Sequence, residues 1–248
     1  MMQNIKPFKF CTPSDWFTRR VIFEVVGVGG TGSEVLGSLA RIDYAIRELG
    51  HPGLKVTAWD GDVVERPNIG RQAFYPADLG YNKAIVTIQR INYLFGLDWE
   101  ARPSMFDPRE GVSHCDLIIT CVDIAQFRAD LAKNSSNLYS KALWLDTGNG
   151  SHTGQVILGR LGRMTRGDLD LPNVYDFYPG LDGMPNDNTS SCSMEEALAN
   201  QDLPINRTIA NVAMQLIWSL LRHGGLNHQG AYVDIRNGVQ TPINVMSV

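Results

Sequence analysis

Four glycines near the start of the chain have a spacing that could bind phosphate. Three of them fit the pattern G-x-G-x-x-G and a fourth stands among them; the set is Gly27, Gly29, Gly30 and Gly32. Glycine allows backbone torsions that other residues resist, and it lets a phosphate approach the main-chain N–H groups at a helix start. The pattern therefore predicts a nucleotide-binding turn, although any dinucleotide-binding domain would satisfy it as well.

Charged and polar residues further along the chain extend this prediction to a triphosphate. Asp60 and Asp123 each follow an apolar run, so we expect Asp60 to accept hydrogen bonds from ribose hydroxyls and Asp123 to hold Mg²⁺. Asn68, Arg71 and Lys83 lie on or after the loop beyond Asp60. A plain nicotinamide-binding domain gives no special reason for these residues, whereas Arg and Lys can neutralise the oxygens of a triphosphate.

The hydrophobic pattern places these residues on an α/β framework. Apolar runs alternate with segments of helical spacing through residue 146, which predicts a Rossmann-like, doubly wound, mostly parallel sheet. An Asn237-Gly238 turn predicts an antiparallel C-terminal hairpin. The predicted strands cover residues 21–26, 54–59, 100–105, 117–122, 143–145, 154–161, 231–235 and 239–245, and the predicted helices cover 32–49, 82–94, 125–139 and 206–221.

Length and composition narrow the class of protein. A chain of 248 residues fits a single domain, 1–248, in which the irregular segment 162–204 is long enough to be functional. The net charge of −4 argues against direct binding to nucleic acid. No apolar run could span a bilayer and the first residues carry no signal-peptide pattern, so we expect no membrane association. The four cysteines form no C-x-x-C pair, which argues against structural zinc or disulfides and predicts a cytoplasmic protein.

Four motifs together resemble those of a known enzyme family. They are GVGGTG (27–32), WDGDVVERPNIGRQ (59–72), DLGYNKA (78–84) and TCVD (120–123), and they resemble the ThiF/MoeB/E1 adenylation domain. The resemblance implies activation of the C-terminal carboxylate of a ubiquitin-like or sulfur-carrier protein with ATP and Mg²⁺, by a homodimer. Residues 191–218 further resemble the ThiF-like family of the plasmid-borne PRTRC cassette, which implies ubiquitin-like and conjugating-enzyme-like partners.

The resemblance also implies a role for each matching residue. The implied catalytic residues are Arg71, Lys83, Asp123 and Cys192, with Asp123 as the magnesium ligand. The implied ATP-binding residues are Gly27, Gly29, Gly30, Gly32, Asp60, Asp62, Asn68, Arg71, Gln72 and Lys83. The sequence departs from the family at Gly70 and Ile124, where the family usually has Asn, and it lacks the paired C-x-x-C zinc motifs of many members.

Cys192 has two interpretations. The resemblance places it in a crossover loop, 162–204, where some members form a thioester, and the alternative is an incidental loop cysteine. Ser193 and Glu196 form a capping-box pattern, which would put Cys192 just before a helix start and lower the pKa of its thiol. For the whole protein, the alternatives to an adenylating enzyme are an NAD(P)-dependent oxidoreductase and a non-catalytic nucleotide-binding scaffold of a plasmid cassette.

Overall fold

The computed structural model describes residues 8–109, 112, 114–135, 142–161, 171–181 and 199–245. The strands are β1 Phe10–Cys11, β2 Val21–Val26, β3 Leu54–Trp59, β4 Glu100–Arg102, β5 Leu117–Thr120, β6 Leu143–Asn149, β7 Thr153–Arg160, β8 Gly225–Leu226, β9 His228–Asp234 and β10 Val239–Asn244. The helices are α1 Gly30–Glu48, α2 Lys83–Phe95, α3 Ala125–Ser135, α4 Val174–Phe177 and α5 Ile205–Trp218, and a π-helical turn, Ser219–His223, extends α5.

One large sheet organises these elements. Its strand order is β10-β9-β7-β6-β5-β2-β3-β4, and β1 pairs with β8 in a separate two-stranded sheet. The five strands from β6 to β4 are parallel, whereas β7, β9 and β10 join β6 through antiparallel pairs. The predicted Rossmann-like α/β fold with its antiparallel C-terminal hairpin is confirmed, and the antiparallel part is larger than the hairpin alone.

Helices cover both faces of the sheet, as a doubly wound fold requires. Apolar residues of α1, α2 and α5 share one buried cluster with alternate residues of the parallel strands, such as Leu117 and Ile119. The intervening Ile118 points to the other face, where it joins Trp144 and residues of α3 and α4. None of the described helices combines the length and apolar character that crossing a membrane requires.

Several element boundaries differ from the predicted ones for identifiable reasons. Helix α1 begins at Gly30 rather than residue 32, because Gly29 already serves as its N-cap. Gly50, with φ +88°, follows the end of α1 and donates its N–H to Arg47 O at 2.9 Å. Strand β6 extends through Thr147, Gly148 and Asn149; the last two are weak strand formers on their own but pair in register with β7.

Candidate active site

A cavity of about 550 Å³ lies at the carboxyl ends of β2, β3, β5 and β6. Chain connections diverge there, because β2 has β3 on one side and β5 on the other. Ligands of open α/β sheets bind at such a switch point. Of the residues predicted from the sequence to form a site, those that line the cavity are Gly27, Gly29, Gly30, Asp60, Asp62, Arg71, Gln72, Lys83 and Asp123.

The glycine-rich turn forms the floor of the cavity, and its glycines serve different purposes. Gly27 has φ +87°, and a Cβ there would lie 2.8 Å from the main-chain oxygen of Cys121. A Cβ on Gly32 would lie 1.8 Å from Gly27 O, so both residues permit close packing of the main chain. No heavy atom of the described residues beyond its chain neighbours lies within 4 Å of a Cβ built on Gly29, which leaves open space at the start of α1, where no side chain caps the helix. That space suits an anionic group.

Asp60 follows β3 and is buried, with 7% of its surface exposed. Its Oδ2 accepts a hydrogen bond from Val28 N at 2.6 Å, and its Oδ1 accepts one from Asp62 N at 2.8 Å. Burial raises the pKa of Asp60 above its ordinary value, while these two hydrogen bonds act in the opposite direction. The carboxylate is thus fixed against the glycine-rich turn, and its oxygens retain acceptor capacity for hydroxyl groups.

Three cationic side chains line the cavity, those of Arg71, Lys83 and Arg128, and Arg128 is described below. Lys83 is the first residue of α2, with a side chain only 10% exposed, and its Nζ lies 3.1 Å from Asp62 Oδ2. A helix start disfavours a cation, and the Asp62 carboxylate compensates for the position of Lys83 there. Arg71 donates from Nη1 to Gln201 Oε1 at 3.1 Å. Burial lowers the pKa of Arg71, and the charge of Asp123 opposes that effect.

Asp123 is exposed at the cavity rim, in the segment between β5 and α3. Its carboxylate is a hard oxygen donor of the kind that Mg²⁺ prefers. Across the described parts of the chain, no group of three or more His, Cys, Asp or Glu side chains is placed to hold a metal ion. A magnesium ion at Asp123 would therefore take most of its ligands from phosphate oxygens and water, as is usual for Mg²⁺ in nucleotide sites.

Two predicted site residues, Gly32 and Asn68, do not line the cavity. Gly32 contributes packing, as described above. Asn68 is buried, and its Oδ1 accepts a hydrogen bond from Glu65 N at 2.9 Å, while its main-chain oxygen accepts one from Gln72 N at 2.9 Å. Asn68 thereby shapes the turn that carries Arg71 and Gln72 to the cavity. Gln72 does line it, and its Oε1 is buried without a hydrogen-bond partner among the described residues.

The cysteines have unequal surroundings. Cys192 lies outside the described residues, so its two interpretations stay predictions. Cys121 lines the cavity, and burial is the main cause that raises the pKa of its thiol to about 12. Burial also raises the pKa of Cys115 well above its ordinary value, whereas Cys11 is exposed. Cys115 and Cys121 both pack against apolar clusters, as small hydrophobic side chains do.

Sequence reasoning missed the buried pair of Arg128 and Asp146. Arg128 Nε lies 2.8 Å and 2.9 Å from the two Asp146 carboxylate oxygens. Arg128 Nη2 donates to Val122 O at 2.7 Å and to Thr147 O at 3.0 Å. The pair therefore ties the end of β5 to β6, directly beside Asp123. The sequence feature that could have predicted this pair is Asp146, which directly follows an apolar run, since a buried carboxylate requires a cationic or hydrogen-bonding partner.

Sequence reasoning also missed two amide side chains at and before the start of α5. Asn206 is buried, and its Oδ1 accepts hydrogen bonds from Thr31 Oγ1 at 3.2 Å and from Asn149 Nδ2 at 2.8 Å. Gln201 Oε1 accepts one from Asn206 Nδ2 at 3.0 Å, in addition to that from Arg71. These contacts join the glycine-rich turn to the arginine across 130 to 175 positions of sequence.

Comparisons with known proteins identify a sequence family and a shared fold. The sequence profile of the ThiF family matches residues 16–228. Similar solved structures include PaaA, with a TM-score of 0.64 and 15% identity over 92% of this chain and 65% of that one. E. coli MccB with ATP has a TM-score of 0.61 and 14% identity, over 92% of this chain and 64% of MccB. A structure of E. coli MccB with AMPCPP and MccA gives the same TM-score, 0.61.

The chain spans just under two thirds of the length of PaaA and MccB. At 14–15% identity, the similarity to these structures shows a shared fold and nothing about function. The sequence matches none of the curated proteins with which it was compared.

Proposed function

Since the chain belongs to the ThiF family, we propose that it is an adenylating enzyme that joins the AMP part of ATP to a carboxylate. One observation carries this proposal: Arg71, Lys83, Asp60 and Asp123 line the same cavity as Gly29, which has open space beside it. An acceptor for hydroxyl groups, two cations and a magnesium-type ligand are what a triphosphate nucleotide requires. A nicotinamide dinucleotide carries a diphosphate but no terminal triphosphate, so it offers Lys83 and Arg71 fewer phosphate oxygens to neutralise than ATP does.

The reaction follows from where these groups lie. An oxygen of the substrate carboxylate attacks the α-phosphorus, the bond from that phosphorus to the bridging oxygen breaks, and pyrophosphate leaves with the electron pair. The product is an acyl-adenylate. The nucleophile is already ionised, so the reaction needs no protein base, and the protein acts by positioning and by stabilising charge.

Each residue has a defined part in that scheme. Asp60 binds the ribose hydroxyls, the turn at Gly29 admits the phosphates, and Arg71 and Lys83 neutralise the leaving pyrophosphate. Lys83 exchanges its contact with Asp62 for one with phosphate. Asp123 would hold Mg²⁺, which supplies further neutralisation of phosphate charge when it is bound.

The finer assignments rest on the sequence resemblance. We propose that the substrate is the C-terminal carboxylate of a ubiquitin-like or sulfur-carrier protein of the PRTRC type. The Cys192 thiolate then attacks the acyl carbon of the acyl-adenylate, the bond to the phosphate oxygen breaks, and AMP leaves as the thioester forms. A conjugating-enzyme-like protein would be the next partner. The proposal further includes a cytoplasmic homodimer and one adenylation domain over residues 1–248, with 162–204 as its crossover loop.

Exchange of label between pyrophosphate and ATP tests the function. We expect exchange when the wild-type protein meets its small carboxylate partner, with candidates drawn from ubiquitin-like proteins encoded nearby. Asp123→Ala should abolish exchange and keep its melting temperature, because an exposed rim carboxylate contributes little packing. Glu100→Ala on edge strand β4, which removes an exposed ion pair with Arg102, is the control and should leave exchange unchanged.

Thermal shift measurements separate the alternatives. Mg·ATP should raise the melting temperature, because a ligand of the folded state alone stabilises it. Stabilisation by NADH without any response to ATP would favour the oxidoreductase. ATP binding without exchange for every partner tested would favour the non-catalytic scaffold. A thiol-sensitive adduct that forms in wild type and is lost in Cys192→Ala would support the thioester step.

A further inference from the structure

We infer that Gln201 is a positioning residue for Arg71, an inference that rests on the proposed function. The side-chain oxygen of Gln201 accepts one hydrogen bond from Arg71 Nη1, at 3.1 Å, and one from Asn206 Nδ2, at 3.0 Å. Its nitrogen donates to Gly150 O at 3.3 Å. Two donors on one side and a carbonyl on the other fix which way the amide points, so the acceptor that meets Arg71 is not free to rotate away.

The main chain around Gln201 is held in place as well. Asp202 N donates to Ser151 O at 2.8 Å, and the Asp202 carboxylate forms an ion pair with Arg236 at 3.0 Å. Ile205 N donates to Asp202 O at 3.1 Å and starts α5. Gln201 is therefore anchored on one side to the turn between β6 and β7 and to the residues after β9, and on the other side to α5.

Asn206 connects this anchor to the phosphate-binding turn. It is 4% exposed, and a Cβ on Gly30 would lie 2.5 Å from its Nδ2. Its Oδ1 is occupied by Thr31 and Asn149, so its Nδ2 is oriented toward Gln201. Hydrogen bonds through Asn206 and Gln201 thereby connect Arg71 to the same turn that is proposed to receive the phosphates.

The contact uses only part of the guanidinium. Gln201 engages Nη1, while Arg71 Nε is buried without a hydrogen-bond partner among the described residues. The remaining donors can meet phosphate oxygens, and the neutral amide orients the arginine without neutralising its charge. A carboxylate at position 201 would instead compete with phosphate for the same cation.

Double-mutant analysis of nucleotide affinity tests this role. Dissociation constants for Mg·ATP and for AMP are measured by calorimetry on wild type, Arg71→Ala, Gln201→Ala and the double variant. Arg71→Ala should weaken ATP binding by about tenfold or more with little change for AMP, which lacks the terminal phosphates. Gln201→Ala should weaken ATP binding by about threefold to tenfold with the same selectivity, and should add nothing in the double variant.

Further variants separate orientation from simple loss of packing. Gln201→Met keeps the length of the side chain but has no amide acceptor, so it should weaken ATP binding as much as Gln201→Ala is expected to. It also supplies the measurement if the alanine variant folds poorly. Gln201→Glu should weaken ATP binding more than Gln201→Ala, because the new ion pair sequesters Arg71. Gln240→Glu, which makes the same charge change at an exposed residue of β10, should match wild type.

Two results would overturn the inference while the proposed function stands: losses at Arg71 and Gln201 that simply add, or a Gln201→Ala variant that weakens AMP as much as ATP. A wild-type protein that binds no ATP would instead overturn the proposed function, and the role of Gln201 with it.

Discussion

Gly32 of α1 packs directly against the main chain of Gly27, the residue after β2. The two are so close that a Cβ on Gly32 would lie only 1.8 Å from the Gly27 carbonyl oxygen. The third glycine of the motif therefore fixes how closely the helix approaches the strand. Gly29, between them, has no heavy atom of the described residues, apart from its chain neighbours, within 4 Å of its own Cβ position. The motif thus contains one glycine required for packing and one whose missing side chain leaves room for a ligand.

Alanine substitutions at Gly32 and Gly29 should have separate effects, the first on stability and the second on ATP binding. We expect Gly32→Ala to lower the free energy of unfolding by about 2 kcal/mol or more, because main chain must move to admit the methyl group. Gly29→Ala should change that free energy by less than about 1 kcal/mol and yet remove most of the ATP-dependent rise in melting temperature. Urea unfolding and thermal shift measure the two effects. Equal losses of stability in both variants would contradict this division of roles.

The buried pair of Arg128 and Asp146 should be a large contributor to stability. Arg128→Leu leaves the Asp146 carboxylate buried with only the Thr120 hydroxyl as a side-chain partner, and it frees the carbonyls of Val122 and Thr147. We expect a loss of about 3–5 kcal/mol in the free energy of unfolding by urea. Arg207→Leu, which removes an exposed ion pair with Glu34, is the control and should cost at most about 1 kcal/mol. Similar losses in both variants would show that burial of the pair is unimportant.

His51 should make stability fall in mild acid. Burial lowers the pKa of His51, whose Nδ1 accepts a hydrogen bond from Gly53 N at 2.9 Å. The unfolded chain titrates near pH 6.5, so below that pH it takes up a proton that the folded protein resists until its own lower pKa is reached. Stability should therefore decrease as the pH falls through this window, and His51→Asn should reduce the slope. An unchanged slope in unfolding measurements between about pH 5 and pH 7 would assign the effect to other groups.

The thiols should react at very different rates. With its pKa raised to about 12, Cys121 is a thiolate in roughly one molecule in ten thousand at about pH 8. Cys11 is exposed, so iodoacetamide should modify it long before Cys121 or Cys115 in the native protein. Peptide mass spectrometry at timed intervals measures each site, and urea-unfolded protein supplies the fully reactive control. Equal rates for Cys11 and Cys121 in the native protein would refute the prediction.

Local sequence patterns were sufficient for the parallel half of the fold. The strands β2, β3 and β5 are short apolar runs, and the glycines and Asn82 mark helix starts by rules that involve only near neighbours. Their order along the chain then determines that Asp60 and Asp123 meet at one edge of the sheet. This part of the site was predictable for that reason.

The remaining parts depend on contacts that are distant in sequence. Gln201 and Asn206 reach Arg71 and Thr31 across more than a hundred residues, and no local pattern distinguishes a buried amide from one at the surface. The length of β6 was missed because Gly148 and Asn149 are strand residues only through their pairing with β7. Arg128 lies on a helix with a weakly apolar face, where an arginine is normally expected to be solvated.

The contact between Asn206 and Gly30 has a consequence for how the protein is made. The glycine-rich turn is translated well before the helix that covers it, Ile205–Trp218, because Thr31 and its partner Asn206 are 175 positions apart. Until that helix has been made, the apolar face of α1 that packs on it is exposed on the nascent chain. The cavity consequently cannot close before then, and its assembly depends on slow, long-range pairing rather than on local folding.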